Sequence, residues 1–126
     1  MREADRNFYS LDAWQRAHSF VLDIYKCTAV FPDAEKFGLT SQIRRAVISI
    51  TANIAEGYER YHYKDKIKFY YISRASLAET QSFLFLARDL GYLTLEKVEQ
   101  LVYLSKEVRQ IISGLIRYTK NKIINN

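Results

Sequence analysis

Apolar residues recur at three- and four-residue intervals along nearly the whole chain, the spacing of helices that each bury one side. The first such stretch spans about residues 10–30. Leu11, Trp14, His18, Val21, Tyr25 and Thr28 form a stripe that Ala17, Phe20 and Ile24 widen, and Pro32 with Asp33 ends it. A second helix is predicted over about 40–59, with Ile43, Ala46, Val47, Ile50 and Ile54 on its core side. A third covers about 65–90 and closes at Gly91; Phe69, Ile72, Phe83 and Leu90 are expected on one face, with Tyr70, Tyr71, Leu77 and Phe85 on others. The fourth spans about 94–120, with Thr94 as N-cap. It carries Val98, Leu101, Ser105, Val108, Ile112, Leu115 and Thr119 at heptad spacing, joined by Leu104 and Ile111. The polar tail KNKIINN is expected to fray. Helices of about 20–27 residues are roughly 30–40 Å long. Joined by short connections they pack antiparallel, so the expected fold is all-α: an up-down-up-down antiparallel four-helix bundle, one domain over residues 1–126.

Composition narrows this further. The chain has 126 residues, enough for one core, and its one proline and four glycines leave little material for hairpins. No apolar run approaches a membrane span, and the opening MREADRNFYSLD lacks the apolar segment of a leader. Cys27 stands alone between Ile24 and Val30, which suits a small core residue in a reducing compartment and excludes a disulfide framework. A bacterial cytoplasmic protein is expected. Outward apolar residues on the second helix, Ile48, Ala52 and Ala55, point to self-association.

Catalytic and metal patterns are missing. His18 and His62 have no partner at ligand spacing, and no HExxH, CxxC or glycine-rich phosphate loop occurs. His18, on the seam of the first helix, reads as a hydrogen-bonded core residue. No cofactor and no enzymatic activity are expected. The strongest polar constellation is Gln42, Arg45, Ser49, Asn53 and Glu56, which fall within an arc of roughly 80° on the second helix. Its i,i+3 and i,i+4 steps bring neighbours together, and partners from the third helix (Arg74, Glu79 or Gln81) would complete it. A hydrogen-bonded brace fixing helix register is favoured over a ligand site, and an enzyme built on Ser49, Asn53 and Glu56 is the weakest reading.

The formal net charge is +5 and the pI about 9.3, which permits an anionic partner. Where the charge sits matters more. In YERYHYKDKIK, residues 58–68, Tyr58, Tyr61 and Tyr63 interleave with Arg60, His62, Lys64, Lys66 and Lys68. Aromatic platforms beside cations suit single-stranded nucleic acid. An antiparallel bundle adds Arg117, Lys120 and Lys122 to that end, and places Asp33, Glu35, Asp89 and Glu96 at the other. A charged turn whose tyrosines merely pack the bundle end is the alternative.

QIRRAVISITANIAEGYER, preceded by FPDAEKFGLTS, resembles the hallmark of small bacterial four-helix proteins encoded in intervening sequences of 23S ribosomal RNA genes, sometimes labelled S23 ribosomal proteins. LDAWQRAH and SLAETQSFLFLARDLGYL extend the resemblance over nearly the whole chain. Gln42, Arg44, Arg45, Asn53, Glu56 and Gly57 match the family motif, to which no catalytic role attaches. Tyr61 and Tyr63 depart from it, being aromatic where the family is often basic or small. The resemblance implies a homopentamer with a central channel. It also implies kinship with the accessory variability determinant of diversity-generating retroelements, a basic pentamer that binds nucleic acid and a reverse transcriptase. The functional expectation is a noncatalytic homo-oligomeric scaffold binding RNA or DNA through Arg60, Tyr61, Tyr63, Lys64, Lys66, Lys68, Arg117, Lys120 and Lys122. The alternative is an adaptor for a protein such as a reverse transcriptase, without nucleic-acid contact.

Overall fold

The computed structural model describes residues 7–125; Met1 to Arg6, which carry half of the segment read against a leader, and Asn126 lie outside the described residues. Four helices follow one another: α1 (Asp12–Thr28), α2 (Leu39–Glu59), α3 (Tyr63–Asp89) and α4 (Leu95–Ile124). Short 3-10 turns at Phe8–Ser10 and Asp33–Glu35 precede α1 and α2. Helices adjacent in sequence pack together and α1 also packs on α4, so the four close into a square, up-down-up-down bundle. Phe20, Ile24, Ile43, Ile50, Ile54, Leu84, Leu101 and Ile112 lie fully buried in its core.

The ends are set by local chemistry. Gly91 takes φ +79°, its N–H bonding the Arg88 carbonyl while the Tyr92 N–H bonds that of Ala87. This pair of bonds terminates α3, and glycine adopts the required φ without steric cost. The Thr94 hydroxyl accepts from the Lys97 N–H and starts α4. At the start of α2, Glu35 supplies the cap from outside the helix. Its Oε1 accepts from the Leu39 N–H at 3.1 Å, and its Oε2 accepts from the Tyr92 hydroxyl at 2.8 Å. One carboxylate thereby ties the head of α2 to the α3–α4 connection. Arg44 performs the converse task for α1, donating to Thr28 Oγ1 and the Tyr25 carbonyl while lying over the Tyr25 ring.

Several expected faces are corrected. In α1 the buried stripe is Ala13, Ala17, Phe20, Val21, Ile24, Cys27 and Thr28; His18 is exposed and stacks on half-buried Trp14 at 4.6 Å. Ala13 and Ala17 let the neighbouring helices approach, which turns the larger Trp14 and Tyr25 to the edge of the seam. In α3 the expected grouping splits: Phe83 packs on the core, and of the residues expected on other faces Tyr71 and Phe85 are exposed. Tyr70, Ser73, Ser76, Leu77, Thr80, Leu84 and Ala87 are buried, whereas Ile72 and Leu90 are exposed. The hydroxyls there are satisfied: Ser73 donates to the Ile50 carbonyl at 2.7 Å, and Thr80 to the Ser76 carbonyl. In α4, Ile116 takes the core position assigned to Leu115. The helix runs to Ile124, past the expected end near residue 120. α3 begins at Tyr63, which shortens the α2–α3 connection to Arg60, Tyr61 and His62.

Where α2 meets α3, Gly57 is buried against Tyr70. A Cβ added there would stand 2.6 Å from Tyr70 Cε1 and 3.0 Å from Phe69 Cβ. Alanine favours a helix interior over glycine by about 1 kcal/mol, but forcing a methyl against a buried ring costs about 1–3 kcal/mol. Gly57→Ala is therefore expected to lower the urea midpoint of unfolding, the reverse of its helix propensity. Glu35 gives a pH signature. Its carboxyl lies below the ordinary 4.5, first through the Leu39 N–H and then through the Tyr92 hydroxyl, and Tyr92 is raised above 10.0 by the same bond. A depressed acid stabilises the fold above its unfolded pKa and loses that contribution as pH falls; a raised phenol loses its own as pH rises past 10.0. Glu35→Ala is expected to lower Tm at neutral pH, with the gap from the native protein closing as the pH falls below about 4.

Candidate nucleic-acid interface

The polar row on α2 divides when seen in three dimensions. Asn53 Nδ2 donates to the Ser49 carbonyl at 2.8 Å and to Ser49 Oγ at 2.9 Å, and Ser76 Oγ of α3 donates to Ser49 Oγ at 2.9 Å. These three residues form a brace across the α2–α3 seam. Gln42, Arg45 and Glu56 are exposed, and their side chains make no hydrogen bond among the described residues. The expected partners on α3 are otherwise engaged: Arg74 Nη1 donates to Ser113 and Gln81 Nε2 to Ser105, both on α4. Glu79 shares with Gln42, Arg45 and Ser49 a shallow polar depression, without an ion pair. Cys27 is buried in the core, and desolvation pushes its thiol up to about 11, which keeps it protonated and unreactive.

The end of the bundle bearing the α2–α3 connection gathers the predicted basic residues. Arg60, Lys64, Lys68, Arg117, Lys120 and Lys122 border it, and Arg60, Lys64, Lys68, Arg117 and Lys120 are exposed. These cations lie on rings more than on carboxylates. Arg60 sits 4.6 Å from the Phe69 centroid, Lys122 5.4 Å from Tyr118 and Lys120 5.9 Å from Tyr71. Lys68 makes a loose contact with Asp65 at 3.9 Å, an exposed pair of little energetic weight. Glu56 and Glu59 share this end, so it is not uniformly positive. Nor is the opposite end uniformly acidic: Lys36, Arg88 and Lys97 stand among Asp33, Asp89 and Glu96, and Arg88 pairs with Asp89 at 2.9 Å. The α2–α3 end still carries an excess of cations over carboxylates, which the opposite end lacks. Tyr61, 88% exposed, meets His62 edge to face and leaves its ring open.

Tyr63 and Lys66 behave differently from their neighbours. Lys66 turns inward, donating to the Tyr58 carbonyl at 2.6 Å with its ammonium near the Tyr58 and Tyr63 rings. Burial lowers its pKa, while the charge of Glu59 opposes the shift. Both residues border a cleft of about 700 Å³ between the starts of α1 and α3 and the end of α4, together with Tyr58, Tyr70 and Tyr118. The sequence reading missed Tyr70 as part of this end. The available signal was its spacing, because Tyr63, Lys66 and Tyr70 stand at i, i+3 and i+7, one face of a helix.

The 23S rRNA-intervening sequence protein family matches residues 9–114. Among solved structures, the chain is similar to a protein of unknown function from the S23 ribosomal protein family of Bacteroides thetaiotaomicron, seen in a crystal structure at 1.70 Å resolution. The likeness has 25% identity and a TM-score of 0.76, and covers 82% of this chain and 97% of that one. No curated protein matches. The match over most of the chain shows the family: this chain belongs to the 23S rRNA-intervening sequence proteins. Of the motif residues, Arg44, Asn53 and Gly57 have structural tasks within one chain, whereas Gln42, Arg45 and Glu56 have none. Ser76→Ala should therefore lower unfolding free energy by about 0.5–1.5 kcal/mol. Alanine at Gln42, Arg45 or Glu56 should change it by less than about 0.5 kcal/mol in denaturant titrations.

Proposed function

We propose that this member of the 23S rRNA-intervening sequence protein family is a noncatalytic, self-assembling scaffold that binds RNA through the α2–α3 end of its bundle. The supporting observation is the state of the cations there. Arg60, Lys120 and Lys122 rest on aromatic faces and make no ion pair among the described residues. Such groups keep their donors for phosphate, and the open ring of Tyr61 adds a surface on which an unpaired base can stack. Stacking suits single strands, because a base inside a duplex presents no free face. Self-assembly draws on Ile48 of α2 and Ile72, Phe85 and Leu86 of α3, all exposed. Assembly into a pentamer would multiply the basic end without any new contact to RNA.

An adaptor role for a protein such as a reverse transcriptase draws on the other end, where Phe37, Val30 and Leu95 are strongly exposed. Charge reversal at Lys64, Lys68 and Lys122 separates the two readings. RNA binding in a fluorescence-anisotropy titration should be on the order of micromolar at low salt and weaken steeply as salt rises. The triple reversal should abolish it, while capture of a protein partner would survive. Tyr61→Ala should cost about 1–3 kcal/mol with a single strand and leave duplex binding unchanged. Absence of salt-sensitive RNA affinity in the native protein would overturn the proposal.

A further inference from the structure

Tyr70 is 2% exposed, yet its hydroxyl makes no hydrogen bond among the described residues. Buried phenols ordinarily find a partner. This hydroxyl is not sealed in the core, since among the described residues no fully enclosed side-chain polar atom lacks a partner. Tyr70 lines the 700 Å³ cleft, and the phenols of Tyr58 and Tyr63 lie close enough to act electrostatically on its own. Lys66 places its ammonium on the same wall, against the Tyr58 and Tyr63 rings. Tyr118 of α4 borders the opening. No carboxylate is among the described residues lining the cleft; Glu59 acts on Lys66 from outside them.

These features select a ligand class. The lining offers four tyrosines and one cation beside Leu11, Leu115 and the polar Asn7, Ser10 and Thr119, in a space suited to one small planar anion. An aliphatic ligand would leave the phenols unsatisfied, and a cation would meet Lys66. An inorganic anion alone would leave the ring faces uncovered.

We propose that this cleft holds one nucleoside monophosphate unit, its base against the tyrosine rings and its phosphate within reach of Lys66 and the Tyr70 hydroxyl. The unit could be supplied as a free nucleotide or as the phosphorylated end of a strand. The strand-end form rests on the reading that this end of the bundle meets RNA: the exposed rim cations guide the strand and the cleft takes its terminus.

Two substitutions test the site. Tyr70→Phe keeps the ring that packs on Gly57 and removes only the unpartnered hydroxyl, so Tm should be unchanged or slightly higher. Calorimetric titrations of the full chain would use adenosine 5′-monophosphate, adenosine and inorganic phosphate. A single-stranded decamer phosphorylated at both ends would be compared with the same decamer carrying no terminal phosphate. The expected result is that the monophosphate binds more tightly than adenosine or phosphate alone, and the phosphorylated decamer about tenfold more tightly than its partner. Tyr70→Phe should reduce monophosphate affinity about tenfold, the loss of one hydrogen bond to a charged group. It should also erase the difference between the decamers. Lys64→Glu with Lys68→Glu should weaken both decamers equally and spare the monophosphate. Failure of the monophosphate to bind, or binding that Tyr70→Phe leaves unchanged, overturns the cleft assignment even where the decamers bind. Monophosphate binding lost in Tyr70→Phe, with no decamer binding, upholds the cleft as a free-nucleotide site and overturns the RNA reading instead.

Discussion

The close approach of α2 and α3 governs what the rest of this bundle can do. Two long antiparallel helices with large side chains at their contact would stand apart and slide easily. Here the contact is made of Gly57, Ser73, Ser76 and the Ser49–Asn53 pair, and it is bonded directly: Ser73 to the Ile50 carbonyl, and Ser76 to Ser49. Those bonds have a single productive register. Shifting α3 by one residue would turn Ser73 away from Ile50 and drive another side chain into the space beside Gly57. Each bond contributes on the order of 1 kcal/mol, so their weight lies in selecting one alignment more than in total stability.

That alignment places chemistry at the α2–α3 end. With α3 starting at Tyr63, the short connection of Arg60, Tyr61 and His62 cannot fold back over the bundle, and Tyr61 is pushed outward. The first two turns of α3 carry Tyr63, Lys66 and Tyr70 along one face, towards α1 and α4. A lysine there would ordinarily reach for water; instead its ammonium meets the last exposed carbonyls of α2 at Tyr58, where the partial negative end of the helix favours it. The opposite end solves a matching problem with an anion, Glu35, at the N–H groups of α2. Each terminus of α2 is thus met by a charge of the complementary sign supplied from outside the helix.

Much of the architecture was legible because large aliphatic residues mark the buried sides of α2 and α4. Ile43, Val47, Ile50 and Ile54 could be placed from spacing alone, as could Gly91 and Thr94 at their helix ends. The failures share one cause. Where two backbones come close, the buried positions carry small or hydroxyl-bearing residues, and a hydrophobic pattern passes over them. Ser73, Ser76 and Thr80 are buried although no apolar spacing marks them, while Ile72, which shares a face with Phe69 and Phe83, is exposed. Ala13 was passed over in the same way, and His18 was assigned to a seam it does not enter. The polar row was half legible. Its i,i+4 geometry gave the Ser49–Asn53 bond, but which residues faced α3 depended on a register that only the serines set. The cleft was beyond the pattern because its lining joins residues far apart in the chain, from Asn7 to Thr119.

Sharing Tyr70 between the seam and the cleft couples folding to occupancy. The ring is held by its contact with Gly57, so an orderly cleft exists only when α2 and α3 are in register. A ligand in the cleft would bind the folded bundle and not the unfolded chain, stabilising it by RT ln(1 + [L]/Kd). The exposed rim differs in kind. Arg60, Lys64 and Lys68 stand near the chain connection, and an unfolded chain presents the same charges in the same order. Polyanion binding at the rim therefore discriminates poorly between folded and unfolded states, whereas cleft binding discriminates fully. Thermal stabilisation by a ligand is in this molecule a report on where that ligand sits.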